Sequence, residues 1–406
     1  MDKAEIVKDE DVTAVTSERL WNRNYILCCV ANFLSFFAFY ILLPVLPLYL
    51  NEEMMASKSV IGMVLSLYAI ACLVIRPFSG FIVDSYPRKT VLVWSFAAFT
   101  FFFGGYLVAT TIMLFAVVRA LHGFSYGAVS VSNSTVAIDV MPPKKRGSGI
   151  AYYGVANNLA MCIGPAVSLY IYQSDYSFNV IFVLALVSSF LAFLAVSMVV
   201  TPKKDLVRRE QKLSLDRFWL MGTWRQSINL LFVAFAYGLM TTFLAIYGKE
   251  KIGVTDGSGN FFLLLAIGII ISRIIASKNI NNGKVTVNII RGTAILTVGY
   301  AVFALWTAPK GYFASAFIIG MGQGMLAPAY QTVFINLAPN SLRGTANSTY
   351  LTSWDVGAAA GIFMGGFIVD HAGYFCAFIT CAAMVFIALL MFSFISGPHF
   401  NRCKLR

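Results

Sequence analysis

Charge is scarce in this chain: Asp, Glu, Lys and Arg make up 12% of 406 residues, against 59% hydrophobic residues. A water-facing domain carries about 25% charged residues, so a soluble globular protein is excluded. Short alternating segments of the membrane β-barrel kind are absent. Cysteines are few and show neither a disulfide framework nor metal-ligand spacing. Cys28, Cys29, Cys72, Cys162, Cys376 and Cys381 fall in apolar runs and Cys403 in the tail, which reads as packing. No metal or cofactor is expected. No nucleophile and base share a defined site, so enzymatic chemistry is not expected, and nothing resembles a selectivity filter. Residues 1 to 23 are polar and partly acidic, so no signal peptide is expected.

Long apolar runs are abundant, and the mean hydropathy is +0.76. A hydrocarbon core about 30 Å thick needs about 20 apolar residues of helix. Twelve spans satisfy this: Tyr25–Leu50, Val60–Val83, Thr90–Val108, Met113–Met141, Ser148–Tyr172, Ser177–Val200, Ser227–Tyr247, Phe261–Ser277, Val285–Trp306, Phe313–Leu337, Thr345–Val369 and Tyr374–Ile395. The expected fold is an all-α membrane protein.

Lys and Arg concentrate on one side of this arrangement, including Arg19, Arg23, Arg88, Lys89, Lys144, Lys145, Arg146, Arg343 and the run from Lys203 to Arg225. The opposite loops carry only Lys58, Lys249, Lys251 and Lys310. Basic loops stay in the cytoplasm, so both termini are expected there, in an inner or plasma membrane. This topology accounts for the net charge of +12. The basic residues are scattered over loops, so no nucleic-acid partner is expected.

A basic stretch divides the chain. The expected organisation is a tail (1–24), a six-helix half (25–202), a linker (203–226), a second half (227–397) and a tail (398–406). Within the linker, Leu213, Leu215, Phe218, Trp219 and Leu220 form either an interfacial helix or part of a solvated segment. The halves repeat with an offset of 197 residues. Arg76 matches Arg273, Gly123 matches Gly320, Gly127 matches Gly324, Arg146 matches Arg343, and Gly164 matches Gly361. Asn32 and Asn229, and Tyr40 and Tyr237, keep the same offset. Transporters built from parallel repeats bind cargo between the halves and rock one against the other.

"GFIVDSYPRK" resembles the loop motif between helices 2 and 3 of the major facilitator superfamily, at Gly80, Asp84, Arg88 and Lys89. It departs from it at Ser85 and Pro87, and the second-half counterpart "SRIIASKNINNGKV" lacks the aspartate. "RALHGFSYG" is similar to the helix 4 pattern at Arg119, Gly123 and Gly127, with His122 where Gln is more usual. "GVANNLAMCIGPAVS" resembles the helix 5 antiporter motif, ending at Gly164 and Pro165 without its trailing glycines. The resemblance spans the chain and points to drug and metabolite exporters. It implies that Asp84 and Arg88 latch the cytoplasmic gate in the outward-open state, Asp84 sitting near the helix 11 start at "NSLRGT". A carboxylate at a helix N-terminus contributes about 0.3–1 kcal/mol when exposed and up to about 2 kcal/mol when partly buried. For Arg88 and Lys89 alone, ordinary basic dressing of a cytoplasmic loop serves as well.

Ionisable residues inside a bilayer are costly and mark function. Asp355 is the only acid deep in a span, because Asp84, Asp139 and Asp370 sit at helix ends. Its repeat partner is the neutral Asn158. Asp355 is therefore the leading candidate for proton coupling or cargo binding. His122 is a proton carrier or a packing histidine, and Arg119, one turn before it, pairs with an anion or tunes the histidine. Arg76 and Arg273 read as structural, snorkelling to headgroups. The resemblance implies a cavity lined by helices 1, 4, 7 and 10, where Asn32, Tyr40, Tyr126, Asn229, Tyr237, Gln323, Tyr330 and Gln331 supply polar and aromatic groups. The glycines and Pro165 permit close helix contact and bending. The expected function is proton-coupled efflux of small organic molecules by a single chain. The alternatives are an uptake symporter for a sugar, nucleoside or organic acid and, from another class, a membrane receptor or sensor.

Overall fold

The computed structural model describes residues 19–142, 145–174, 176–201, 220–254, 258–281, 283–339 and 343–405. The first half comprises α1 (Arg23–Glu52), α2 (Lys58–Ser85), α3 (Arg88–Val108), α4 (Ile112–Asp139), α5 (Arg146–Gln173) and α6 (Phe178–Ser197). The second comprises α7 (Trp224–Tyr247), α8 (Ser258–Asn281), α9 (Val285–Leu305), α10 (Pro309–Asn336) and one helical run, Arg343–Met391. That run is broken at Gly373, whose φ of 78° is open to glycine at little cost. We call its parts α11 (343–372) and α12 (374–391). Asp370 meets the α2 start, and Ser396, just past α12, is back beside Arg225 at the α7 start, so the chain reverses between them.

By length and apolarity, ten described helices can cross a membrane. Two of the twelve expected spans do not stand out by that measure. Phe313–Leu337 lies in α10, diluted by Gly320, Gly322, Gln323, Gly324 and Pro328, and Tyr374–Ile395 runs on from α11. The seventh helix starts at Trp224 rather than Ser227, after a turn at Met221–Thr223 whose approach is fixed by the Leu220 amide donating to Thr349 Oγ1. Most of the expected linker, with its candidate interfacial helix, lies outside the described residues.

Caps start several helices: Asn22 accepts from the Tyr25 amide, Thr111 from Leu114 and Ser177 from Asn179. Pro44 interrupts α1 because proline offers no amide hydrogen to the helix. Apolar side chains such as Trp94, Phe101, Ile274 and Phe386 cover the outer flank, where lipid rather than water is their solvent. Within the halves α2 packs on α4 as α8 packs on α10, and α3 packs on α4 as α9 packs on α10. Between the halves the most extensive contacts are α2 with α11 and α5 with α8, again related by the repeat, and the end of α1 meets α7. Both described ends lie on one face, here the terminal face: Asn22 donates to Val140 O, and the Leu405 amide donates to Asn336 O. The opposite face is the distal face.

Candidate functional site

At the seam between the halves, Arg76 on α2 forms an ion pair with Asp355 on α11. Their side chains keep 16% and 22% of their exposure, so the pair is mostly sequestered. This corrects the reading of Arg76 as a snorkelling residue. Its guanidinium turns inward because an ionised carboxylate at that depth needs a cation beside it. The recurrence of an arginine at 76 and 273 was the signal that could have revealed it. Tyr126 lies within electrostatic reach of Tyr40, Arg76 and Asp355. Tyr350 stands in the same relation to Arg273 and Asp355. Phe39 stacks on Tyr126 at 5.6 Å, and Tyr237 meets Trp354 at 5.4 Å. Tyr126 thus stands near the charges, with Tyr40 beside it, and Tyr237 packs on the residue that precedes Asp355.

Other expected lining residues are hydrogen-bonded to neighbouring helices in this arrangement. Asn229 is fully buried, donates to Ala388 O at 2.7 Å and accepts from the Tyr330 hydroxyl, so both residues tie α7 to α10 and α12. Tyr330 also meets the Phe392 ring. Asn32 is buried and donates to Tyr153 O at 3.1 Å and to Asn157, joining α1 to α5. The physical reason is common to all three: a polar side chain in an apolar bundle is held where a neighbouring helix satisfies it. Gln323 is buried in α10, and Gln331 is exposed and donates to Asn347 on α11 at 2.9 Å. The Asn158 side chain lies outside the described residues.

Arg119 and His122 form a separate cluster inside the first half. Arg119 donates to the Tyr106 hydroxyl at 3.2 Å, and that hydroxyl lies 2.9 Å from His122 Nδ1. The guanidinium stands 4.2 Å over the Tyr68 ring, a cation–π contact. An arginine only donates, so the tyrosine proton is available to Nδ1, an arrangement that suits a neutral imidazole. Phe99 and Phe103 enclose the same ring. Tyr68 links this cluster to Tyr126, ring to ring at 5.6 Å.

The distal face is closed by contacts between the halves. Lys249 Nζ pairs with Glu52 Oε1 at 2.8 Å, and both touch the Tyr172 hydroxyl. These two ions are repeat partners meeting across the pseudo-twofold axis. Lys58 pairs with Glu250 at 2.7 Å, and Tyr374 donates to the other Glu250 oxygen. Asp370 accepts from the backbone amides of Lys58 and Ser59 at 3.0 and 2.7 Å, capping α2 from the opposite half. A void of about 10 Å³ beside Leu48, Leu169, Tyr172 and Lys249 leaves room for about one water. Glycines let the backbones touch: a Cβ on Gly62 would stand 2.6 Å from Ile362 O, and one on Gly366 would collide with Lys58 O.

Toward the terminal face, Arg88 pairs with Asp139 within the first half. Lys89 donates to the carbonyls of Val196, Ser197 and Val199, satisfying the end of α6. Gly80 and the Asp84 side chain, the remaining parts of the expected latch, lie outside the described residues. Gly123 and Gly127 press on the α2 backbone at Tyr68 and Cys72, and Gly164 presses on α1 at Tyr40, next to Pro165 inside α5.

The family model described as Major Facilitator Superfamily matches residues 28–361 and 289–402. The Staphylopine export protein of Staphylococcus aureus is 22% identical over 368 residues, covering 86% of this chain and 90% of that protein. The Multidrug resistance protein MdtG of Escherichia coli is 24% identical over 383 residues, covering 90% and 92%. Among solved structures, a peptide transporter POT mutant bound to alafosfalin superimposes with a TM-score of 0.80 at 14% identity, covering 98% of this chain and all of that one. The nucleoside transporter NupG gives 0.69 at 16% identity, covering 93% and 99%.

Proposed function

The chain belongs to the major facilitator superfamily, and from that premise we propose that it exports small organic molecules in exchange for protons. The exchange runs by alternating access in a single chain, with the terminal face in the cytoplasm of an inner or plasma membrane. The observation that carries this reading is the ion pair of Arg76 and Asp355 at the seam between the halves. With the distal face closed, Asp355 is ionised and held by Arg76. Opening that face exposes the carboxylate to protons from the distal side, and a proton there releases Arg76. Return to the distal-closed state re-forms the pair and discharges the proton toward the terminal face. A cargo that uses the ionised Asp355 competes with the proton, which is the linkage exchange requires. Two relatives named for export and for multidrug resistance favour the outward direction.

In this scheme His122, enclosed by rings and tied to Tyr106, sets packing and charge around Arg119 rather than carrying the proton. The test is Asp355→Asn in proteoliposomes. Uphill movement driven by a pH gradient should be lost, while downhill exchange of a cargo that still binds persists. Uphill transport at the wild-type rate would overturn the assignment, whereas His122→Gln should have the milder effect.

A further inference from the structure

The first half holds a polar cluster that the second half does without. Tyr68, Tyr106, Arg119 and His122 stand 197 residues before Leu265, Phe303, Ala316 and Ile319, and each of these four apolar residues is at most 2% exposed. The same place in the repeated architecture therefore packs with apolar side chains alone. Burying an arginine and a histidine there is a cost that the fold does not require.

Arg119 is 4% exposed and makes no ion pair with a described acid. An arginine keeps its charge inside a protein. Its partners are neutral: the Tyr106 hydroxyl, which accepts from one terminal nitrogen at 3.2 Å, and the Tyr68 ring, 4.2 Å away. Its Nε is buried with no acceptor. Because Tyr106 accepts from Arg119, its own proton goes to His122 Nδ1 at 2.9 Å, and the ring proton is then on Nε2. Nε2 is likewise buried without a partner, and so is the Tyr68 hydroxyl. The Tyr68 and His122 rings are 5.3 Å apart. Three neighbouring side chains, each more than nine-tenths buried, thus carry one positive charge and three unanswered donors. Such donors are costly to bury, and one negatively charged acceptor answers both the charge and the donors.

We propose that Arg119, His122 and Tyr68 hold a halide ion, chloride being the physiological one, inside the first half. Its single charge offsets the guanidinium, and a spherical acceptor takes hydrogen bonds from several directions. Phe99 and Phe103 stand 4.8 and 4.4 Å from the His122 ring, and Phe115 stands 5.2 Å from the Tyr106 ring, all three fully buried. An organic acid or a phosphate would force these rings apart, and a monatomic ion asks least of them. The site is separate from the pair of Arg76 and Asp355: Tyr68 and Arg76 are eight residues apart on α2, about 12 Å along the axis. It therefore does not depend on which cargo is carried or in which direction.

The test is thermal unfolding of the purified full chain in potassium gluconate, with chloride replacing gluconate at constant ionic strength. Chloride and bromide should raise the unfolding temperature along a saturating curve, as a ligand of the folded state does. Acetate and phosphate should not reproduce that curve, and sulfate should act without saturating, because it stabilises by exclusion from the surface. Tyr68→Phe keeps a ring beneath Arg119 and removes one donor, so half-saturation should need about tenfold more chloride. Tyr68→Leu, Tyr106→Phe, Arg119→Ala and His122→Ile in one chain install the residues of the second half and should abolish the saturating response. A wild-type protein with no saturating halide response, or with an equal one to acetate, would overturn the proposal. So would an unchanged half-saturation in Tyr68→Phe, or a halide response that survives the fourfold exchange.

Discussion

Reversing one charge at the distal gate should open it, and restoring the pair in swapped order should close it again. Glu52 and Lys249 are repeat partners joined at 2.8 Å, with 25% and 43% of their side-chain surface exposed. A pair that wet contributes about 0.2–1 kcal/mol. Lys58 and Glu250, at 16% and 36% exposure, add a similar amount. Asp370 capping the α2 amides adds about 0.5–2 kcal/mol. The polar gate therefore favours closure by about 1–4 kcal/mol, and every 1.4 kcal/mol is tenfold in the equilibrium. Glu52→Lys replaces attraction by repulsion, so the shift is about twice the value of one pair, or roughly two- to thirtyfold toward the open state. Spin labels at Met55 and Lys251, in a background without the native cysteines, report the separation of the two halves at this face. Glu52→Lys should populate a longer distance, and the combination with Lys249→Glu should restore the short one. High salt should imitate the single variant weakly, because exposed pairs are screened. An unchanged distance distribution in Glu52→Lys would refute the idea that these pairs hold the gate.

Gly62→Leu should wedge α2 from α11 and impair transport with membrane insertion intact, since even a Cβ there stands 2.6 Å from Ile362 O. Gly104→Ala, with open space around it, should be silent in the same assay. Asp84→Asn should abolish or strongly reduce transport while leaving insertion normal, as the latch implied by the loop motif requires, and normal turnover would dismiss the latch. For orientation, cysteines at positions 55 and 256 should react with impermeant reagents from outside the cell and those at 145 and 212 should not. The opposite pattern would invert the topology.

Sequence alone determined the solvent, the helical class and the repeat, because each is a property of runs and spacings. Hydropathy over about 20 residues reads burial in lipid whatever the neighbours are, and a constant offset of 197 residues needs no coordinates. The depth of Asp355 followed from counting residues along one helix. Which way a side chain faces was not legible. In water, an amphipathic stripe marks the inner face of a helix, but lipid and protein interior are both apolar, so that stripe fades in a membrane bundle. Asn229 and Tyr330 could therefore pass for cavity residues until the crossing of α7, α10 and α12 showed them bonded to one another. Arg76 and Asp355 lie far apart in the chain, and only the packing of α2 on α11 made them partners. The distal gate belongs to tertiary structure for the same reason. Glu52 and Lys249 read as ordinary loop charges until the two halves close, and their bond exists only in that arrangement of the halves.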